Sequence, residues 1–193
     1  MELNKTYWEN RYENNDAVWD AGRITTPLKD YFDQLKDKSI QILIPGGGNS
    51  YEFEYLVNKG FEKVFVLDFA TTPLANIKKR LPQIDASQLI EADFFEHEGQ
   101  YDLIIEQTFF CALEPRLRKK YVTKMASLLQ PGGKLAGLFF QFPLTEVGPP
   151  FGGSATEYTA LFENNFTLNV LETAHNSIPP RKGNELFFIF TKK

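Results

Sequence analysis

Short apolar runs that end at a glycine or an acid alternate along this chain with segments of helical period, and that alternation constrains the fold more than any other feature. Ile40–Ile44 is nearly continuous in apolar residues, as a parallel strand covered on both faces has to be, and Pro45 with Gly46, Gly47 and Gly48 stops it. Phe53, Leu56 and Val57 then share one helical face that runs to Gly60, where a positive φ would suit a helix stop. Val64–Leu67 reads as a second strand with Asp68 at its end, Pro73–Leu81 as a helix, and Gln88–Ala92 and Tyr101–Ile105 as the third and fourth strands, the last ending in Glu106. Within Glu114–Leu129 the apolar residues Leu117, Tyr121, Met125 and Leu128 are spaced by four, four and three with basic residues between them, which predicts an amphipathic helix. The turn Gln130–Gly133 releases the chain into a strand over Lys134–Phe140. A loop rich in Pro and Gly, Pro143–Gly153, precedes a helix over Ala155–Asn164 and two final strands, Phe166–Thr173 and Glu185–Thr191, joined through Pro179 and therefore antiparallel. Ahead of all this, residues 1–38 read as two helices, with Tyr7, Trp8, Arg11 and Tyr12 at helical spacing in the first and Leu28, Tyr31, Phe32 and Leu35 in the second.

Such an order predicts one α/β domain over residues 1–193: a doubly wound, seven-stranded, mostly parallel sheet with an antiparallel C-terminal strand and helices on both faces. Sheets of this kind place ligands beyond the carboxyl ends of their strands, which nominates Gly46, Asp68, Asp93 and Glu106. Gly46 and Gly48 permit a sharp turn and a ligand close to the main chain, and Asp68, 22 residues after Gly46, is placed to accept hydrogen bonds from two ribose hydroxyls. Alone, the glycines describe a plain turn and Asp68 a cap for the next helix; together, at strand ends, they describe a nucleoside pocket. The dinucleotide fingerprint asks for a third glycine where Tyr51 stands, which disfavours nicotinamide, whereas S-adenosylmethionine has no pyrophosphate to cradle. Asp93 and Phe94 then suit an adenine, the acid toward the exocyclic amine and the ring against its face.

Charge and cysteine usage exclude other classes. A net charge of −4 without a basic block argues against duplex nucleic acid. No apolar run approaches the roughly 20 residues of a spanning helix, and MELNKTYWENRYENN lacks the apolar core of a signal peptide, so no membrane is expected. Cys111, the single cysteine, cannot form an internal disulfide, and with only two distant histidines the chain offers no zinc spacing and no expected metal; a cytoplasmic protein is the expectation. Eighteen Phe in an aromatic fraction of 15% pose a further choice between an aromatic pocket and plain packing.

The stretches LIPGGGNSYE, VLDFA, YDLIIEQTFFCALEPRLR, MASLLQPGGKL, GPPFG and RKGNE, in that order, resemble the thiopurine S-methyltransferase family from about Trp8 to the last strand. TFFCALEP and the late GPP and RKG segments are most similar to its halide and thiol methyltransferase branch. The resemblance implies a Rossmann-like class I methyltransferase with S-adenosyl-L-methionine as cofactor, residues 1–38 forming a helical cover in which Trp8, Tyr12 and Trp19 lie over it, and further contacts at Gly46, Asp68, Asp93, Phe94 and Gln107. Glu106 stands where Asp is common in the family and Gln107 where its branches carry Tyr or Arg, so the acceptor is left open between a thiol, another chalcogen and a halide. Tyr158 and Arg181 resemble positions that line the family's substrate side and are the candidates for orienting the acceptor.

Methyl transfer from a sulfonium is an in-line displacement, and a thiolate or halide arrives already nucleophilic, so no general base is required of His97 or His175 and no covalent role of Cys111. An aromatic wall at Phe109 and Phe110 would strip water from such an anion. Two other readings stay open: a nicotinamide-dependent oxidoreductase, and a cofactor-binding regulatory module without turnover, which Gln107 keeps in play.

Overall fold

The computed structural model describes residues 2–193, in which seven strands form one sheet in the order β3-β2-β1-β4-β5-β7-β6. The elements are α1 (Lys5–Glu13), α2 (Thr26–Asp33), β1 (Ile42–Pro45), α3 (Tyr51–Asn58), β2 (Val64–Asp68), α4 (Thr71–Arg80), β3 (Leu89–Glu91), β4 (Tyr101–Gln107), α5 (Arg118–Leu128), β5 (Leu129–Phe140), α6 (Ala155–Phe162), β6 (Phe166–Thr173) and β7 (Glu185–Lys192). β1 to β5 pair in parallel, and β7 enters antiparallel between β5 and β6.

Alternate residues of the central strands serve two cores, which is why their apolar runs show no break. Ile42, Ile44, Val64, Val66, Leu103 and Ile105 pack with residues of α2, α3 and α4 on one face. Leu43, Leu67, Ile104, Leu135 and Phe139 pack with those of α5 and α6 on the other. The second core takes most of the aromatic surplus: Phe139 stacks on Phe188 with ring centroids 4.0 Å apart, and Phe110, Phe162, Phe166 and Phe190 crowd around them. Plain packing, more than a pocket, accounts for the phenylalanines.

Two boundaries differ from expectation for local reasons. Pro115 opens a 3₁₀ turn over Pro115–Leu117, so the amphipathic helix starts at Arg118. Strand β5 begins at Leu129, which pairs with Tyr101, while Lys134 pairs with Leu103; the segment 130–133 bulges from the ladder with Gly132 at φ 74°. Helix α1 has no buried residue and rests against α4, and no helix among the described residues is long and apolar enough to cross a membrane.

Candidate active site

A cavity of about 600 Å³ lies beyond the carboxyl ends of β1 to β4, under Trp8, Tyr12 and Trp19 of the N-terminal segment. Gly46, Asp68, Asp93 and Phe94, nominated by strand ends in the sequence, are brought together on its wall. Gly46 and Gly48 both take positive φ, at 58° and 54°. Their missing side chains make room for rings of this chain itself: a Cβ on Gly46 would stand 2.2 Å from Phe109, and one on Gly48 2.3 Å from the Tyr12 hydroxyl.

Asp68 ties this turn to the next helix. Its Oδ2 accepts from Gly48 N–H at 2.9 Å and its Oδ1 from Ala70 N–H at 2.9 Å. A carboxylate has about four lone-pair positions, so two remain for hydroxyls from the cavity. Burial raises the Asp68 pKa and the backbone donors oppose that rise. Asp93 sits at the mouth, its Oδ1 accepting from Phe95 N–H at 2.8 Å, while Phe94 is buried edge-on against Phe109 with centroids 5.1 Å apart.

Within residues 1–38, α2 is anchored by the buried Leu28, Tyr31 and Phe32, whereas α1 buries no residue and is held by polar ties. The Glu9 carboxylate caps the first turn of α4, accepting from Thr71 N–H at 2.7 Å and Thr72 N–H at 3.0 Å. Trp19 packs edge-on against Trp8 and Tyr12 at 5.3 and 5.7 Å, and the Arg11 guanidinium covers its ring at 4.9 Å. Gln107 faces the same segment, its Oε1 accepting from the Thr25 hydroxyl at 2.8 Å.

A second cavity, about 40 Å³, shares Tyr12, Trp19, Gly46 and Thr108 with the first and is lined also by Gln107, Ser50 and Glu52. Ser50 Oγ is buried without a partner. Glu52 is buried with its own backbone N–H as hydrogen-bond donor, and burial pushes its pKa up to about 7, against the pull of Arg181. Sequence reasoning missed both residues: an acid in the first turn of α3 has the spacing of an ordinary helix-end charge.

Four expectations need correction. Glu106 is wholly buried and turns away from both cavities; it accepts from Phe109 N–H at 2.9 Å, Phe110 N–H at 3.0 Å and the Tyr121 hydroxyl, while burial pushes its pKa up to about 7. Tyr158 is 1% exposed, lines neither cavity, and gives its hydroxyl to Phe140 O at 2.6 Å. Arg181, expected at the acceptor, is 8% exposed and donates through Nη2 to Trp19 O at 2.6 Å. Phe110 belongs to the core, so Phe109 alone of that pair faces the cavity. Cys111 is buried near Thr108 O, and burial raises its pKa, which leaves the thiol inert.

Residues 3–191 match the family model described as thiopurine S-methyltransferase. The chain is 30% identical over 184 residues to a probable thiol methyltransferase 2 of Arabidopsis thaliana, covering 92% of this chain and 81% of that one. It is 27% identical over 173 residues to a thiopurine S-methyltransferase of Vibrio cholerae, covering 81% and 79%. Among solved structures, the 1,6-didemethyltoxoflavin-N1-methyltransferase of Burkholderia thailandensis, crystallised with 1,6-didemethyltoxoflavin and S-adenosylhomocysteine, superposes with a TM-score of 0.76 at 15% identity over 99% of this chain and 88% of that one, which shows the Rossmann-like methyltransferase fold.

Proposed function

The chain belongs to the thiopurine S-methyltransferase family, and from that membership we propose that it moves a methyl group from S-adenosylmethionine directly onto a small soft nucleophile: a thiol, another chalcogen or a halide. The observation that carries the reading is the convergence of Gly46, Asp68, Asp93 and Phe94 on one cavity roofed by two indoles and a phenol. Its volume of about 600 Å³ and its two carboxylates, Asp68 buried within and Asp93 exposed at the edge, fit a nucleoside, and the glycine turn keeps the wall free of side chains of its own. When bound, S-adenosylmethionine supplies an electrophilic methyl on a sulfonium centre.

The chain's own residues have separable roles. Asp68, with two free lone-pair positions, would hold ribose hydroxyls, and Asp93 with Phe94 would receive the base. Trp8, Tyr12 and Trp19 exclude water and offer electron-rich rings to a cation, worth about 0.5 to 2 kcal/mol. Ser50, Glu52 and Gln107 join Asp20, Arg23 and Asn49 among the polar residues of the smaller cavity next to the glycine turn. Phe109 lines the larger cavity, where an apolar ring raises the reactivity of a weakly hydrated anion by displacing its water.

Neither histidine lines either of these two cavities: His97 bonds Tyr101 and His175 is exposed on the loop after β6, which supports an acceptor that is already anionic over an alcohol or amine. Residues 1–38 as a cover over the cofactor, and a cytoplasmic location consistent with one unpaired buried cysteine, belong to the same proposal. The test is turnover with methyl-labelled S-adenosylmethionine against hydrosulfide, small and aryl thiols, selenide, iodide, a catechol and an amine. Methylation of the soft anions is expected. A catechol or amine turned over faster than every thiol and halide overturns the acceptor class.

A further inference from the structure

The β6–β7 loop reaches residues 1–38 through two side chains, Asn176, whose Nδ2 donates to Asp30 Oδ2 on α2 at 2.7 Å, and Arg181, which alone of the two reaches the main chain at Trp19. Pro179–Arg181 is a 3₁₀ turn closed by its own main chain, with Arg181 N–H on Ile178 O at 2.9 Å and Asn184 N–H on Arg181 O at 2.9 Å. From this braced turn the Arg181 guanidinium runs inward. Nη2 donates to Trp19 O at 2.6 Å, and Nη1 lies 3.4 Å from Oε1 of Glu185, itself 1% exposed at the head of β7 and paired in the ladder with Phe140. The buried Glu52 of α3 lies within electrostatic reach of the same guanidinium. A buried arginine has to spend its donors on fixed acceptors, and here one acceptor belongs to the sheet and the other to the cover.

We infer that Arg181 is a positioning residue: it holds the main chain at Trp19, and so sets the aromatic wall of the cavity, without touching the acceptor. Trp19's ring packs only on cover residues among its aromatic and cationic neighbours, Trp8, Tyr12 and Arg11, so its registration on the sheet comes through the backbone. Arg181 supplies that tie at Trp19 itself, and the Asp20 carboxylate, accepting from Asn49 Nδ2 at 2.6 Å, supplies a second one residue on. The planar fork matters because it spans two acceptors at once; a lysine ammonium can satisfy one of them but not both in this geometry.

The inference rests on the methyltransferase reading only for its kinetic consequence, and the test separates the two. With Trp8→Phe, Trp19 is the single tryptophan. In that background Arg181→Ala is expected to raise acrylamide quenching of Trp19 about twofold and shift its emission to the red in the ligand-free protein, with Arg181→Lys between the two. In the otherwise unaltered chain, Arg181→Ala is expected to raise KM for S-adenosylmethionine about tenfold, with kcat and the acceptor KM within about twofold, the scale of one lost charge-assisted hydrogen bond. Parent-like quenching in a folded Arg181→Ala protein overturns the inference, as does a raised acceptor KM at unchanged cofactor KM. Should Arg181→Ala fail to fold, Arg181→Met, which keeps the length of the side chain but donates to neither acceptor, takes its place, and parent-like quenching there overturns the inference equally. A parent that does not bind S-adenosylhomocysteine sinks the functional reading while the quenching comparison still decides the role of Arg181.

Discussion

Replacing Asp68 by alanine removes two acceptors from the centre of the site at once. The N–H groups of Gly48 and Ala70 each donate to this carboxylate at 2.9 Å, and both residues are buried, so neither regains water when the acceptor goes. A buried donor left unpaired costs about 1 to 3 kcal/mol, and relief from burying a carboxylate offsets part of it, which leaves a destabilisation of about 2 to 5 kcal/mol. In a chain of this size that lowers Tm by roughly 4 to 20 °C. Asp68→Asn retains one acceptor and is expected to lose about 1 to 2 kcal/mol. Ligand linkage reports the ribose contact separately, since S-adenosylhomocysteine at about 100 times its parent Kd stabilises by about 2.7 kcal/mol, and a tenfold weaker Kd halves that gain to about 1.4 kcal/mol. The assay is urea unfolding of parent, Asp68→Asn and Asp68→Ala with and without the ligand. An alanine variant that unfolds at the parent midpoint refutes the capping role, and an undiminished ligand response refutes the ribose role.

Three further outcomes follow from the same geometry. Glu52 holds its proton in the folded state up to about pH 7 but releases it near 4.5 when unfolded, so its contribution to stability falls by about 3 kcal/mol as pH rises from 4.5 to 7; Glu52→Gln should unfold at higher urea than the parent at pH 8 and lose that slope, and an unchanged slope refutes the burial argument. Gly46→Ala forces a side chain onto φ 58° and into Phe109, and is expected to cost at least about 1 to 2 kcal/mol in thermal melts and to weaken S-adenosylhomocysteine binding, a parent-like melt counting against the tight turn. Glu9→Ala removes the cap that α1 places on α4, at about 1 kcal/mol, and should speed amide exchange at Thr71 and Thr72; unchanged exchange there shows that the cap contributes nothing.

The sheet was legible because each of its determinants is local. Unbroken apolar runs such as Ile42–Ile44 and Val64–Leu67 follow from helices on both faces, and the glycines and acids that close them mark the edge where a ligand can lie. Arg181 and Glu52 were not legible for the opposite reason. Whether a charged side chain is solvated or buried depends on partners far along the chain: the acceptor for Arg181 is 162 residues away, and nothing near RKGNE indicates that a carbonyl of the cover will close over it. Helix α1 shows the same limit, since its aromatic spacing predicts a helix but its docking rests on Glu9 reaching the end of α4.

Glu106 shows how a strand-end acid can serve a site without facing it. Its Oε1 takes both N–H groups of Phe109 and Phe110 and its Oε2 takes the Tyr121 hydroxyl, so the turn after β4 closes back on the strand end. That turn needs Thr108 at φ 61°, an unfavourable backbone state for a β-branched residue, and the buried carboxylate with its three donors is what offsets the strain. Consecutive aromatic residues then part company: Phe110 enters the core beside Tyr121, Phe139 and Phe162, while Phe109 swings over Gly46 and into the cavity wall. Gly46 is required for that placement, because any larger residue would occupy the space of the Phe109 ring. The glycine at the end of β1 and the acid at the end of β4 therefore act on one object, the ring between them, and the apolar character of the site at that point is set by two residues that are themselves not apolar.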